Sequence, residues 1–324
     1  MEGLTLAGVE YVVISEEVAG QRIDNYLLRM LKGVPKTRIY RLLRKGEVRV
    51  NGGRIGPSYR LAADDRVRVP PVRRAEKDSI APSVRITDRL EAAVLYEDER
   101  LMVLSKPSGL AVHGGSGLAY GVIEALRDAR PDLPFLDLAH RLDRDTSGCL
   151  VIAKRRSALR RLNEAFKNHQ IVKEYIALLH GEVSWQRKTV VAPLKAVAGP
   201  GGERMMQPDE AGVNAKTDFF REAIYPGCTL VRVRLHTGRM HQIRAHARFL
   251  EHPVVMDRRY GKADADKRFR NLGLRRLFLH ASRIQFEVEG GPLVDISAPL
   301  PQELIAVVNR LPTMGAHKKG EANE

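Results

Sequence analysis

The chain has 324 residues, more than a typical single domain, and its 44% apolar and 29% charged residues exclude wholesale disorder. Lys and Arg outnumber Asp and Glu by 54 to 39, which gives a net charge of +15. A field of this sign attracts polyanions, of which nucleic acid is the commonest. No apolar run approaches the roughly 18 residues needed to span a bilayer, so we expect no membrane insertion.

The first residues, Met-Glu-Gly-Leu, lack the basic start and the apolar stretch of a signal peptide, and we expect a cytoplasmic protein. Cys149 and Cys228 are too few for a disulfide framework or a cysteine-built zinc site. Both are predicted to be small core residues.

Residues 1–75 form a first predicted domain, with 15 Lys or Arg against 8 Asp or Glu. Apolar residues at helical spacing follow Asp24, and a second short helix can begin after Pro35. Asn51-Gly52 suits a tight hairpin turn, so a strand pair is expected after the helices. The single sign of the clustered charge favours a nucleic-acid-binding face over a merely solvated one. The clustered cations are Lys36, Arg38, Arg41, Arg44, Lys45 and Arg49.

The segment that begins Gln21-Arg22-Ile23-Asp24 and ends Val50-Asn51-Gly52 resembles the small alpha-L RNA-binding domain. That domain occurs in a ribosomal protein and in several RNA-modifying enzymes, so the resemblance implies docking on RNA. Residues 76–92 are rich in Pro and charge without periodicity, which predicts a linker. Residues 313–324 are small and polar, which predicts a disordered tail.

Residues 93–312 are predicted to form a second domain, in which short apolar runs indicate buried strands. Together these runs and two helical stretches predict a mixed, largely antiparallel sheet flanked by helices, and the chain is assigned to the α+β class. Strands are predicted at 101–104, 150–153, 175–179, 230–235 and 277–280, and helices at 157–168 and 240–250.

The most informative stretch is His140-Arg141-Leu142-Asp143-Arg144-Asp145-Thr146-Ser147-Gly148, a polar loop followed by an apolar strand. By itself, an aspartate in such a loop is more often a structural ion pair or turn former than a catalyst. Two further segments change the balance, Lys173-Glu174-Tyr175-Ile176-Ala177 and Thr237-Gly238-Arg239-Met240-His241-Gln242-Ile243-Arg244. Together the three segments resemble the pseudouridine synthases of ribosomal large subunits, over about residues 21–311. Lys106-Pro107-Ser108-Gly109 and Val112-His113-Gly114-Gly115 also fall where that family places them.

The resemblance implies that the protein isomerises uridine to pseudouridine in large-subunit (23S) ribosomal RNA. Carried over by position, Asp143 corresponds to the catalytic aspartate, Tyr175 to the base-stacking tyrosine and Arg239 to the basic partner of the aspartate. Arg141 corresponds to a residue that helps to fill the gap left by the flipped nucleotide. Further RNA contacts are expected from His140, His241 and Arg244.

The chemistry makes sense of these residue types. The reaction breaks the bond between ribose and N1 of uracil, turns the base and rejoins it through C5. A carboxylate can attack the anomeric carbon or remove a proton from the adjacent ribose carbon, and the sequence leaves both routes open. Either route needs Asp143 ionised, and a nearby guanidinium favours that form. A tyrosine ring can contribute ~1–3 kcal/mol by stacking and still let the base turn, although Tyr175 without the other motifs would be taken for a strand-core residue.

Two other classes of function remain open on the residues alone. One is a non-catalytic RNA-binding assembly factor, and the other is an RNA hydrolase in which Asp143 and Asp145 hold a metal ion. The histidines at 236, 241, 246 and 252 lack paired ligand spacing on a helix, so no metal site is predicted. Gly114-Gly115-Ser116-Gly117 lacks the ending of a phosphate-binding loop, so no small-molecule cofactor is expected. The expected partner is ribosomal RNA, bound by a monomer.

Overall fold

A computed structural model describes residues 8–16, 18–31, 34–72, 84–114, 120–261, 263–287 and 293–312. The chain folds as two compact units, Met1–Ala81 and Pro82–Glu324. The predicted tail at 313–324, the predicted linker as far as residue 83 and the turn at 115–117 lie outside the described residues. Within the described ranges, no helix combines the length and the apolar character needed to cross a membrane.

In the first unit, two short helices pack on one face of a small antiparallel sheet. Helix α1 (Ile23–Met30) and helix α2 (Lys36–Lys45) share one apolar core with the sheet. Helix α2 ends at Gly46, whose φ of 68° is the left-handed conformation that glycine adopts at least cost. The predicted helix pair and the hairpin after it are confirmed. The strands are β1 (Glu10–Val13), β2 (Arg49–Val50), β3 (Gly53–Arg54) and β4 (Arg66–Val69), in the order β1-β4-β2-β3.

A ten-stranded sheet forms the centre of the second unit. Strands β8 and β15 run parallel and the other neighbours run antiparallel, as the sequence predicts. Eight strands follow the order β10-β13-β14-β9-β15-β8-β6-β5; β7 pairs with β8, β16 pairs with β15, and β11 and β12 form a separate pair. The strands are β5 (Val94–Glu97), β6 (Leu101–Lys106), β7 (Asp137–Leu138), β8 (Ser147–Ala153), β9 (Val172–His180), β10 (Arg187–Val191), β11 (Leu194–Ala198), β12 (Arg204–Pro208), β13 (Lys216–Tyr225), β14 (Cys228–Leu235), β15 (Leu279–Glu287) and β16 (Leu293–Ser297).

Helices flank this sheet, and one of them differs from the sequence prediction. Helix α3 lies inside the stretch predicted to be a linker, and its Leu90 is fully buried in the core of the second unit. The helix forms because it packs with α4, a tertiary contact that local composition does not reveal. The helices are α3 (Val84–Glu91), α4 (Val122–Ala129), α5 (Arg156–Lys167), α6 (Gln242–Phe249), α7 (Lys267–Asn271) and α8 (Gln302–Arg310).

Strand β8 is buried along its whole length. Leu150 and Ile152 enter one apolar cluster, whereas Cys149 and Val151 enter another. Because successive side chains of a strand point to opposite faces, β8 is covered on both sides and therefore has an uninterrupted apolar sequence. Cys149 and Cys228 are free, buried thiols, as expected. A strand held this firmly gives a fixed base to the polar loop that precedes it.

Candidate active site

The loop before β8 is fixed by the way that strand meets β15. Gly148 has a φ of 108° and pairs in register with Ala281. A Cβ atom at Gly148 would overlap the carbonyl oxygen of Ala281, so the close approach requires glycine here. The close parallel pairing sets the point from which the loop leaves the sheet.

A buried lysine holds the same loop by hydrogen bonds to its backbone. Lys106 has no exposed surface, and its Nζ donates hydrogen bonds to the carbonyl oxygens of Pro107, Leu110 and Arg144, at 2.9, 2.9 and 3.0 Å. Burial lowers the pKa of Lys106 to about 7, and the charge of Arg276 acts in the same direction. The three carbonyls match the three N–H groups of an ammonium ion. The sequence placed Lys106 in a family motif but did not predict this support.

The loop, strand β9 and the start of helix α6 enclose a cavity. Asp143 and Tyr175 both line it, with Arg239, His241 and Arg244 from the third motif. The three segments that are far apart in sequence therefore meet at one place. The side chain of Asp143 is 20% exposed, which leaves it accessible from the cavity.

The guanidinium that pairs with Asp143 belongs to Arg244. Its Nη1 donates to Oδ2 of Asp143 at 3.1 Å, while its Nε and Nη2 donate to both oxygens of Asp257, at 2.7 and 2.8 Å. Burial opposes the charge of Arg244, but the hydrogen bonds and charge of Asp257, together with Asp143, raise its pKa. Arg244 therefore lies in the lining of the cavity with its buried side chain engaged by two carboxylates, and its expected contact with RNA stays a prediction.

Arg239 takes a different position from the one expected. Its side chain is exposed at the edge of the cavity, and its Nε donates to the carbonyl oxygen of Asn214 at 3.0 Å. Gln242 holds the turn through Oε1, which accepts from the backbone N–H of Arg239 and the hydroxyl of Thr237. Arg244 rather than Arg239 therefore pairs with Asp143, because helix α6 directs the side chain of Arg244 inward.

His241 precedes α6 and faces Asp143 from a strained backbone position, with a φ of 52°. Its Nδ1 lies 3.0 Å from the hydroxyl of Tyr260, which accepts from the backbone N–H of Met206. Burial lowers the pKa of His241 to about 4, although the charge of Asp143 opposes the shift. A neutral ring that accepts the Tyr260 proton carries its own proton on Nε2, the atom 3.9 Å from Oδ2 of Asp143. His241 therefore faces the carboxylate, with its other nitrogen held by the protein.

Tyr175 forms the apolar wall of the cavity. It is 8% exposed, and burial raises its pKa, with the charge of Asp143 acting in the same direction. Its hydroxyl therefore stays protonated at neutral pH. The ring is placed where a planar base entering the cavity could lie against it.

His140 and Arg141 differ in what they offer to a ligand. The Nε2 of His140 accepts the backbone N–H of Val151 at 3.0 Å, and burial lowers the pKa of His140 to about 3. The neutral ring holds the strand through this inward hydrogen bond, and the expected RNA contact of His140 stays a prediction. Arg141 is exposed at the cavity, and the described part of the chain supplies no partner for its guanidinium.

The cations predicted to bind RNA in the first unit divide between two surfaces. Lys36, Arg41, Arg44 and Lys45 are exposed along α2, whereas Arg38 is half-buried. Arg49 lies instead on β2, with its side chain on the sheet face that the helices leave open. Among the residues described in both units, no group of three His, Cys, Asp or Glu side chains is placed to hold a metal ion.

Sequence models of two protein families match the chain. The S4 domain covers residues 21–67, and RNA pseudouridylate synthase covers residues 100–249, which contain Asp143, Tyr175 and Arg244. Ribosomal large subunit pseudouridine synthase C of Pasteurella multocida (strain Pm70) is 52% identical over 94% of each chain. The chain belongs to the RNA pseudouridine synthase family.

A second relative and two solved structures are also similar to this chain. Ribosomal large subunit pseudouridine synthase C of Escherichia coli (strain K12) is 48% identical over 94% of this chain and 97% of that protein. Among solved structures, human RNA pseudouridylate synthase domain containing 4 has a TM-score of 0.59 at 23% identity, over 70% of this chain and 95% of the human chain. Human RNA pseudouridylate synthase domain containing 1 has a TM-score of 0.55 at 26% identity, over 66% and 86% of the two chains. The synthase thus has the α+β fold and the N-terminal S4 domain that the sequence predicts.

Proposed function

We propose that this synthase converts uridines of large-subunit (23S) ribosomal RNA to pseudouridine, with Asp143 as the catalytic carboxylate. The observation that carries the proposal is the enclosure of Asp143 and Tyr175 in one cavity, with Arg244 bound to the carboxylate. The substrate class follows from the names of relatives that match almost the whole chain.

The two oxygens of Asp143 have different surroundings. Arg244 and His241 both approach Oδ2, while the described residues give Oδ1 no side-chain hydrogen bond or ion pair. We assign the reacting oxygen to Oδ1. The fixed charge of Arg244 stabilises the anionic carboxylate before the reaction and again whenever it is released.

The flipped uridine enters the cavity with its base against Tyr175. In one route, Oδ1 forms a bond to C1′ as the bond from C1′ to N1 breaks, and uracil leaves with the electron pair. The base then turns and C5 attacks C1′ as the carboxylate is released, after which the proton on C5 is lost to water and N1 takes up a proton. In the other route, Oδ1 takes the C2′ proton as the glycosidic bond breaks and uracil leaves with the electron pair; it returns the proton to C2′ as C5 joins C1′, and the C5 proton is again lost to water while N1 takes one up. Stacking on a ring holds the uracil without fixing its rotation.

Exposed arginines at the cavity are assigned to the RNA around the target nucleotide. Arg239 and Arg141 lie where they can reach phosphates, or the space left by the flipped base. The cations of α2 are assigned to RNA docking by the S4 domain, with a salt-dependent affinity. The synthase is further proposed to act as a monomer in the cytoplasm, without a cofactor.

Asp143→Asn tests the catalytic assignment. The amide keeps the shape of the side chain but neither attacks carbon nor accepts the ribose proton. We expect kcat to fall by at least about 10⁴-fold, the scale seen when an enzyme loses its nucleophile, while RNA affinity changes little. Tritium release from ribosomal RNA transcripts labelled at C5 of uridine measures the reaction. Asp145→Asn, an exposed carboxylate two residues away, is the matched control and should retain activity.

The same assays separate the other two classes of function. A non-catalytic assembly factor would bind the transcript without releasing tritium from it. A metal-dependent hydrolase would shorten the RNA and would stop in EDTA. Full tritium release by Asp143→Asn would refute the proposed role of this carboxylate.

A further inference from the structure

The open face of the small sheet in the first unit carries a row of arginines. Arg49 lies directly opposite Arg68 on β4 and opposite Arg54 on β3, while Arg68 lies opposite Tyr11 on β1. Side chains that face each other across neighbouring strands share one side of a sheet. The arginines of β3, β2 and β4 therefore lie on one side of the sheet, beside Tyr11 of β1.

This face points away from the helices. Val50, Val67 and Val69 alternate with the arginines along β2 and β4, and all three are buried in the core with α1 and α2. Because neighbouring residues of a strand point to opposite faces, the arginines face outward. The exposed cations Lys36 and Arg44 of α2 thus lie on the opposite side of the two-layer unit from those of the sheet, whereas Lys45, at the end of α2, also borders the sheet face.

The outward face is concave and cationic. A depression of about 840 Å³ is lined by Arg49, Arg66, Arg68 and Lys45, with Glu47 as its one carboxylate, and also by Tyr11, Gly46, Asn51 and Gly52. A space of this size is too large for a single bound ion and suits a segment of a polymer.

Among the described residues, the arginines on this face are held by carbonyl groups and an aromatic ring rather than by carboxylates. Arg49 Nε donates to the carbonyl oxygen of Gly46 at 3.2 Å, and Arg68 Nη1 donates to that of Glu47 at 2.6 Å. Arg66 stacks on the ring of Tyr11 at 4.4 Å. Within the described ranges, no carboxylate forms an ion pair with these three arginines. Carbonyl groups hold the guanidiniums in place but leave their net charge intact.

Two arginines on the large sheet of the second unit form ion pairs instead. Arg232 pairs with Glu174 and Glu222, and Arg283 pairs with Glu174 and Asp295. These two arginines of the large sheet therefore have carboxylate partners. On the small sheet, by contrast, Arg49 faces two other arginines, and like charges directly opposite each other are destabilising. A polyanion on this face would relieve that repulsion.

We propose that the outer sheet face of the S4 domain binds the sugar-phosphate backbone of a second RNA segment, separate from the segment bound along α2. The inference rests on the proposed RNA substrate and extends it, since it gives the S4 domain two RNA-binding surfaces rather than one. Fixed guanidiniums suit phosphate oxygens, because each retains N–H groups directed away from its carbonyl acceptor.

The test compares three double variants of the full chain that remove the same charge. Arg49→Gln with Arg68→Gln changes the sheet face, Lys36→Gln with Arg44→Gln changes the helix face, and Arg160→Gln with Lys167→Gln changes exposed cations of α5. The probe is a fluorescent transcript of large-subunit ribosomal RNA, titrated at several salt concentrations. We expect the sheet variant to bind about tenfold more weakly and to lower the slope of log affinity against log salt by about 1.4–1.8.

Combining the sheet and helix variants should multiply their separate losses of affinity, because the two surfaces hold different RNA segments. The melting temperature of the sheet variant should be unchanged or higher, since a like-charge pair is removed. Binding equal to that of the α5 variant would overturn the inference. Tritium release by the wild-type protein is measured separately. If the wild-type protein released no tritium, the proposed function would be refuted, whereas the binding result would stand.

Discussion

Arg244 contributes both to the proposed catalysis and to the stability of this synthase. One guanidinium binds the buried Asp257 in a two-pronged arrangement and reaches Asp143 with its remaining Nη1 contact. Asp257 also accepts the backbone N–H groups of Arg259 and Tyr260, so its position is fixed independently of substrate. Burial raises the pKa of Asp257, but the hydrogen bonds and charge of Arg244 outweigh burial and leave the pKa lowered. Asp257 therefore orients the arginine that orients Asp143.

Arg244→Lys should separate the two arginines of the third motif. A lysine keeps the charge but cannot bind both oxygens of Asp257 and Asp143 at once. We expect a fall in kcat of about 100-fold and a loss of about 2–3 kcal/mol in the free energy of unfolding. Arg239→Lys, at the exposed cavity edge, should keep kcat and weaken RNA binding. Single-turnover kinetics and urea unfolding measure both effects, and the opposite pattern would return the pairing role to Arg239.

At the scale of elements, the junction of β8 and β15 sets the geometry of the catalytic loop. Gly148→Ala would place a methyl group against the carbonyl oxygen of Ala281, in a strand covered on both faces. We expect a loss of at least about 3 kcal/mol in the free energy of unfolding, from the clash together with the strained φ.

Gly109→Ala is the matched control, because Gly109 also has a positive φ, of 86°, but no atom lies within 4 Å of an added Cβ. It should cost only about 1 kcal/mol. Urea unfolding of the two variants gives the comparison. Equal losses would show that backbone strain, rather than the contact with Ala281, requires glycine at 148.

The elements that the sequence predicted are those whose patterns are local. A few residues suffice to predict β8, from its apolar run, and α2, from the spacing of Ile39, Leu42 and Leu43. Helix α3 was missed because its stability comes from packing against α4. The site also divides into local and tertiary features. The motifs identify Asp143 and Tyr175, but the inward direction of the Arg244 side chain depends on where α6 begins. Asp257 and Tyr260 belong to no motif, and only the fold brings them beside Arg244 and His241.

In the synthase domain, two buried histidines, His246 and His280, are held neutral by hydrogen-bond relays of one kind. Gln242 donates to the hydroxyl of Thr217, which lies against Nδ1 of His246. Arg276 donates to the hydroxyl of Ser147, which lies against Nδ1 of His280. In each relay Nε2 lies against a backbone carbonyl oxygen, that of Ala192 or Ala298. Each hydroxyl accepts one hydrogen bond and donates its own O–H to Nδ1. The neutral ring therefore carries its single proton on Nε2.

These relays predict a loss of stability in mild acid. Burial lowers the pKa of His246 and of His280, and it lowers that of His241 to about 4. Since an unfolded histidine has a pKa near 6.5, the unfolded chain binds more protons than the folded one between about pH 6.5 and 4. The free energy of unfolding must therefore fall as the pH drops through that window, by up to about 1.4 kcal/mol per pH unit for each histidine.

Urea unfolding at half-unit steps from pH 7.5 to 4.5 measures this dependence. His246→Gln should reduce the slope of the free energy against pH, by no more than the limit of about 1.4 kcal/mol per unit for one proton, because glutamine cannot take up a proton on unfolding. His113→Gln changes an exposed ring and should leave the slope as in the wild type. A slope equally steep in His246→Gln would mean that the buried relay around His246 does not exclude the second proton, and that the acid sensitivity arises elsewhere in the domain.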